Sequence, residues 1–103
     1  MSLKKQFLKS KPVCKVTFCL MEGDIQNAEK IKLLGSFNDW KIEEAVQLKK
    51  FKNGTFKTTI DLETDKEYQF KYLIDGEKWE NDVMADKYVS NGIGNEVNSV
   101  VVL

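Results

Sequence analysis

The chain has 103 residues, and its 16 basic residues, all lysine, balance 16 acidic residues to a formal net charge of zero. This length suits one domain with a single core, and zero net charge gives no overall field to attract nucleic acid or an anionic membrane. Arginine and histidine are absent. Because this removes the bidentate phosphate clamp and the commonest zinc ligand, we predict neither a metal site nor a cofactor.

The first residues of the chain are basic. Lys4, Lys5, Lys9 and Lys11 fall within residues 1–11, which hold no acidic residue. A solvated tail explains this charge about as well as a binding arm does. In either case these residues lie outside the core, so we predict a basic N-terminal tail at residues 1–11 and one domain at residues 12–103.

Apolar and polar side chains alternate from Val13 to Leu20, as expected for a strand with one face in the core. Cys14 and Cys19 lie an odd number of residues apart in it, so they point to opposite faces. An extended strand places their Cα atoms roughly 16 Å apart, too far for a disulfide. We predict two buried or half-buried free thiols. They suit a reducing compartment, and without an apolar run of signal-peptide or membrane-spanning length we expect a cytoplasmic protein.

Short strand-like segments and turn signals continue to the end of the chain. Asn53-Gly54 and Asp75-Gly76 are two-residue hairpin signals, each between two such segments. The predicted strands are residues 13–20, 31–34, 47–51, 55–62, 67–74, 77–80 and 97–103, with polar loops at 22–29 and 81–96. About seven short strands with frequent turns predict an all-β, antiparallel β-sandwich.

Carboxylates crowd the segment around the second hairpin signal, namely Asp75, Glu77, Glu80, Asp82 and Asp86. A glycosidase needs two carboxylates at a defined separation around a bound sugar. Nothing in this spacing singles out such a pair, and acidic side chains around a hairpin are usually solvated surface. No nucleophile, phosphate-loop or metal-ligand motif is present either. We therefore predict a protein that is not an enzyme.

Two tryptophans stand beside turns among charged residues, and the residues alone leave their role open. Trp40 follows the G-S-F-N-D turn, and Trp79 follows the D-G-E-K hairpin signal. One interpretation is that each indole caps an end of the sandwich core. The other is an exposed platform, on which the C–H face of a sugar ring packs while its hydroxyls find hydrogen bonds at the edge.

Three segments in order, GSFNDW, EYQFKYLIDGEKW and NDVMADKYVSNGIGNEVNSVVVL, carry a family resemblance. From about Ile31 to Leu103, the chain resembles the glycogen- and starch-binding modules of the isoamylase N-terminal type. Such modules occur in glucan branching enzymes and in the beta subunit of AMP-activated protein kinase. The resemblance implies an immunoglobulin-like (early-set) sandwich that binds α-1,4-linked glucans without cleaving them.

The resemblance also implies roles for five residues. Trp40 and Trp79 would stack on glucose rings, Lys71 and Asn98 would hydrogen-bond sugar hydroxyls, and Ile93 would press on the glucan from a loop. The implied partner is glycogen, starch or a maltooligosaccharide, with a separate glucan-processing enzyme alongside. The alternatives are an immunoglobulin-like protein interaction domain, or an accessory module of a glycoside hydrolase family 13-type enzyme with no sugar binding of its own.

Overall fold

The computed structural model describes residues 1–25 and 27–103 and shows an all-β sandwich, as predicted. Within those residues, ten strands form two antiparallel sheets. The strands are β1 Ser2–Phe7, β2 Val13–Leu20, β3 Ile31–Gly35, β4 Val46–Gln47, β5 Lys49–Lys50, β6 Phe56–Glu63, β7 Glu67–Ile74, β8 Lys78–Glu80, β9 Lys87–Ser90 and β10 Val97–Val102. Single 3₁₀ turns lie at Glu22–Asp24, Ser36–Asn38 and Ile42–Glu44. Gln26, in the predicted loop 22–29, is outside the described residues.

The four-stranded sheet has the order β1-β2-β6-β5, and the six-stranded sheet has the order β4-β3-β7-β10-β9, with β8 paired to β7. The core lies between them. Alternate residues of β2 are fully buried: Cys14, Val16, Phe18 and Leu20. Phe18 meets Phe70 of β7 edge to face, with ring centroids 5.1 Å apart. Both cysteines are free, Cys14 buried and Cys19 half-buried, as predicted. Across the described residues, no helix is long and apolar enough to cross a bilayer.

The first strand lies in the segment for which the sequence favours a tail. Ser2–Phe7 pairs with the whole length of β2, from Ser2 opposite Cys19 to Phe7 opposite Cys14. Lys5 also forms an ion pair with Asp86, with Nζ 2.7 Å from the carboxylate. β1 has no alternating burial pattern. Leu3 is half-buried against the core, but the strand is defined mainly by its backbone pairing with β2, which the sequence does not mark.

Two further segments differ from the prediction. The predicted strand 47–51 is divided between β4, in the six-stranded sheet, and β5, in the four-stranded sheet. Leu48 lies buried at the crossing, and its N–H donates to the carbonyl of Ile31 at 2.9 Å. The predicted loop 81–96 contains β9, which pairs with β10 at the sheet edge. Chain crossings and edge pairings depend on distant partners, so the local pattern did not reveal them.

Asp82 corrects the expectation of a solvated acidic segment, because its side chain is fully buried. The Tyr72 hydroxyl donates to Asp82 Oδ2 at 2.6 Å, and the Met84 N–H donates to Oδ1 at 2.8 Å. The Asp82 N–H in turn donates to Ser99 Oγ at 2.9 Å. Burial, with the nearby Asp82 carboxylate adding to it, raises the pKa of the Tyr72 phenol far above its ordinary value of about 10. This satisfied polar network fastens the 81–86 segment to β7 and β10.

Candidate functional site

The GSFNDW turn is built around a close approach of two backbones. Gly35 lies so near β7 that a Cβ atom there would stand 2.2 Å from the carbonyl oxygen of Gln69, so only glycine fits. The N–H of Gln69 donates to Ser36 Oγ at 3.1 Å. Asn38 closes the turn: its Oδ1 accepts the Gly35 N–H at 3.0 Å, and its Nδ2 donates to the Leu33 carbonyl at 3.3 Å. The motif therefore encodes a rigid turn.

This turn holds Trp40 in an unusual backbone conformation. Asp39 and Trp40 have φ angles of 54° and 58°, in the left-handed region, where a bulky aromatic residue is a genuine outlier. The Trp40 N–H donates to the Gly35 carbonyl at 3.0 Å, which secures the conformation. Strain of this kind costs on the order of 1–3 kcal/mol and clusters at functional sites. The half-buried indole is therefore held in a set direction.

The length of the β7–β8 turn decides which face carries Trp79. The sequence predicts a two-residue turn at Asp75-Gly76, which would pair Trp79 with Tyr72 and direct the indole to the core side. Instead, Ile74 pairs with Lys78, so three residues lie between the paired ends, and Trp79 pairs with Leu73. One residue of register moves every side chain of a strand to the opposite face. Trp79 thus lies on the outer face with Lys71, and it is 44% exposed.

Four of the five predicted residues line one shallow depression of about 200 Å³ on the outer face of the six-stranded sheet. The lining residues are Trp40, Lys71, Trp79, Asn91, Glu96 and Asn98. The two indoles have centroids 6.5 Å apart and planes tilted by 63°, so they meet edge to face rather than as one flat surface. Each therefore offers a ring face in a different direction.

Polar groups lie beside the indoles. Lys71 is half-buried on the central strand β7, two residues from Leu73 along the outer face. The Asn98 side chain is 9% exposed, and its Nδ2 donates to Gln69 Oε1 at 2.9 Å, which sets the orientation of its amide. The depression thus combines two aromatic surfaces with an ammonium and an oriented amide.

Ile93 is the predicted residue that the structure does not bring into the depression. It lies at the tip of the β9–β10 loop, 67% exposed, and is not among the described residues that line the depression. Its loop is closed by Asn91, which hydrogen-bonds Glu96 through the backbone at 3.2 Å and accepts the Ile93 N–H on Oδ1 at 2.9 Å. Sequence reasoning missed Asn91 and Glu96, which line the depression. An asparagine opening a loop with two glycines was the available signal.

The fold is shared with a solved structure. The chain superimposes on the enterobactin esterase of Shigella flexneri with a TM-score of 0.73 at 8% identity, over 98% of this chain and 32% of that one. The chain therefore spans about a third of the esterase chain, and at this identity the likeness concerns the fold alone. None of the curated proteins compared with the chain matches it.

A family match covers nearly all of the sequence. Residues 8–103 match the family described as the glycogen recognition site of AMP-activated protein kinase. The match extends from β2 to the end of β10 and so includes every strand that borders the depression. It agrees with the resemblance carried by the three sequence motifs and supports binding of carbohydrate of the glycogen type. The chain belongs to this glycogen-recognition family, which is a family of non-catalytic carbohydrate-binding modules.

Proposed function

We propose that this protein binds α-1,4-linked glucans, such as glycogen, starch and maltooligosaccharides, through the depression that Trp40 and Trp79 border, and does not cleave them. The observation that carries this proposal is the pair of tilted indoles on a sheet face directed away from the core, with Lys71 and Asn98 beside them. An exposed apolar patch rimmed by polar groups commonly marks a binding site, and family membership indicates a glucan.

The chemistry of a glucan suits this arrangement. A glucose ring presents a face of C–H groups that packs on an indole, while its hydroxyls lie at the rim. Lys71 supplies hydrogen-bond donors, Glu96 supplies acceptors, and the Asn98 amide supplies both. The α-1,4 linkage turns each ring relative to the one before, so the chain curves. Two indoles tilted by 63° match successive rings of a curved chain better than those of a straight one.

Binding without cleavage follows from the carboxylates. Among the described residues lining the depression, Glu96 is the one carboxylate, whereas glycoside hydrolysis commonly needs two at a defined separation. Asp75 and Asp82 are engaged in backbone and buried hydrogen bonds instead. We expect release of reducing ends from starch and glycogen to stay at background, and activity that copurifies with the protein would contradict this.

In this proposal the protein localises or recognises polysaccharide in the cytoplasm, beside a separate glucan-processing enzyme. A protein interaction domain on the same sandwich is the competing possibility, and the family match favours carbohydrate instead. In the proposal, Ile93 contacts the part of the glucan that extends beyond the depression, from the tip of the β9–β10 loop. Its 67% exposure leaves it available for that contact.

Retention on insoluble amylose tests the proposed function. The protein should bind amylose and glycogen and be released by maltoheptaose, but not by cellohexaose, whose β-1,4 chain is straight. The double variant W40A/W79A should flow through. Passage of the unaltered protein through the amylose column would refute glucan binding and favour the interaction domain.

A further inference from the structure

A second depression, of about 440 Å³, lies on the same sheet beyond the tryptophan pair. Its floor includes Leu73 of β7, and Ile42 stands at its side on the 3₁₀ turn that follows Trp40 along the chain. Glu29 and Lys30 line it from the chain entering β3, Lys32 lines it from β3 itself, and Asp75 lines it from the β7–β8 turn. None of these residues has a role in the function proposed above.

The two depressions adjoin on β7. Lys71 lines the first and Leu73 lines the second, and alternate residues of a strand stand roughly 7 Å apart on one face. Leu73 is also the cross-strand partner of Trp79, so their Cβ atoms lie about 5 Å apart. Lys32 of β3 pairs with Leu73 from the other side, so a chain stacked on Trp79 and continuing across β7 toward β3 passes directly onto the second depression.

The walls of the second depression are held in place. Asp75 Oδ1 accepts the backbone N–H groups of Glu29 and Lys30, at 2.9 and 2.8 Å. The Asp75 N–H donates to the Lys30 carbonyl at 2.8 Å. The hairpin turn and the chain entering β3 are thereby joined, so a ligand would meet a shape that is already formed.

The lining also indicates the kind of ligand. Ile42 is 55% exposed and Leu73 is 4% exposed, which gives an apolar side and floor. Among the described lining residues, two lysines and two carboxylates balance, so no net charge selects an anion or a cation. Apolar contact surrounded by donors and acceptors of both signs suits a neutral chain with C–H faces and many hydroxyls.

We propose that this second depression extends the glucan site, so that Ile42, Lys32 and Leu73 bind the glucose units that continue past Trp79. The extension rests on the proposed function, since it takes the same chain. Affinity should then rise with glucan length beyond the few units that the tryptophan pair contacts. A site limited to the tryptophan pair would show only the small statistical rise that comes from the larger number of binding registers on a longer chain.

Calorimetry with maltotriose, maltoheptaose and maltodecaose on the full chain tests the extension. We expect I42A and K32A to lower affinity for maltodecaose about threefold to tenfold while leaving maltotriose affinity unchanged. V83A is the matched control, because Val83 is apolar and 70% exposed but lies at neither depression. It should bind every length as the unaltered protein does. Equal losses for short and long glucans, or no loss for long ones, would overturn the extension.

Backbone amide shifts give a second measurement that needs no variant. On titration, the amides of Lys71 and Trp79 should shift with maltotriose, and those of Leu73 and Ile42 should shift strongly only with the longer glucans. If the first pair shifts and the second stays still at every length, the extension is wrong and the proposed function stands. If no amide shifts with any glucan, the proposed function itself fails, and the extension fails with it.

Discussion

The outer faces of the two sheets differ in what they bury. On the four-stranded sheet, the Thr17 and Thr59 hydroxyls hydrogen-bond at 2.8 Å, and Lys15 pairs with Asp61 at 3.0 Å, in an exposed polar surface. On the six-stranded sheet, the outward residues Leu34, Leu73 and Val100 are almost fully buried. A sheet that is apolar on both faces needs cover on both, and here turns and loops supply it. The same turns create the depressions, so extra burial and the candidate site arise together.

The largest expected effect concerns this buried outer face. L34A should lower the free energy of unfolding by about 2–5 kcal/mol, because Leu34 is fully buried and its truncation leaves a cavity. T17A, on the outer face of the other sheet, should stay within about 1 kcal/mol, the worth of one exposed hydroxyl pair. Urea unfolding of both variants makes the measurement. Similar losses for the two would mean that the faces do not differ energetically.

The second-largest expected effect concerns the hydrogen bond between Tyr72 and Asp82, whose contribution to stability should depend on pH. Y72F should cost about 1–3 kcal/mol, since the buried carboxylate of Asp82 loses a donor. The raised pKa means that the folded protein keeps the Tyr72 proton at pH values where the unfolded chain has lost it. Stability from this group is therefore full below about pH 10 and declines above it, by about 1.4 kcal/mol per pH unit. Between pH 8 and pH 11, the free energy of unfolding should fall less for Y72F than for the unaltered protein. Equal falls would show that Tyr72 is not the source of the pH dependence.

Removal of the Trp79 indole should weaken glucan binding at the outer face of the six-stranded sheet. W79A should weaken maltoheptaose binding by about 1–3 kcal/mol, by analogy with aromatic stacking of nucleic-acid bases. It should cost less stability than the roughly 3–5 kcal/mol expected for truncating a fully buried tryptophan, because the residue is 44% exposed. F51A is the control, since Phe51 is 40% exposed and lies beside Lys49 and Lys57 of the four-stranded sheet. Its glucan affinity should equal that of the unaltered protein. A large loss of stability in W79A would assign the indole to packing instead.

The smallest expected effect is that of salt. The protein has zero net charge and the proposed ligand is neutral, so ionic screening has little to act on. The dissociation constant for maltoheptaose, expected at roughly 10 µM to 1 mM, should change less than about twofold between low and high salt. Calorimetry at both salt concentrations measures it. A tenfold loss at high salt would show that charge, rather than stacking, dominates the site.

The sequence by itself determined the fold class and the approximate places of two hairpins, although both loops are longer than the predicted two residues. Period-two alternation marked β2 and β7, because burial of one face needs no distant information. The GSFNDW turn was readable in part, since Asn38 hydrogen-bonds Gly35 and Leu33 within a few residues of its own position, whereas the need for glycine at position 35 comes from Gln69 on β7.

Tertiary structure decided the rest. Pairing with β2 and β10 placed β1 and β9 in the two sheets. Burial of Asp82 depended on Tyr72 and Ser99, ten and seventeen residues away. The side of the sheet that carries Trp79 depended on one extra residue in the β7–β8 turn. Successive residues of a strand point to opposite faces, so that single residue decides whether the indole lies in the core or beside Lys71. The local sequence pattern does not show the length of the turn and could not predict this.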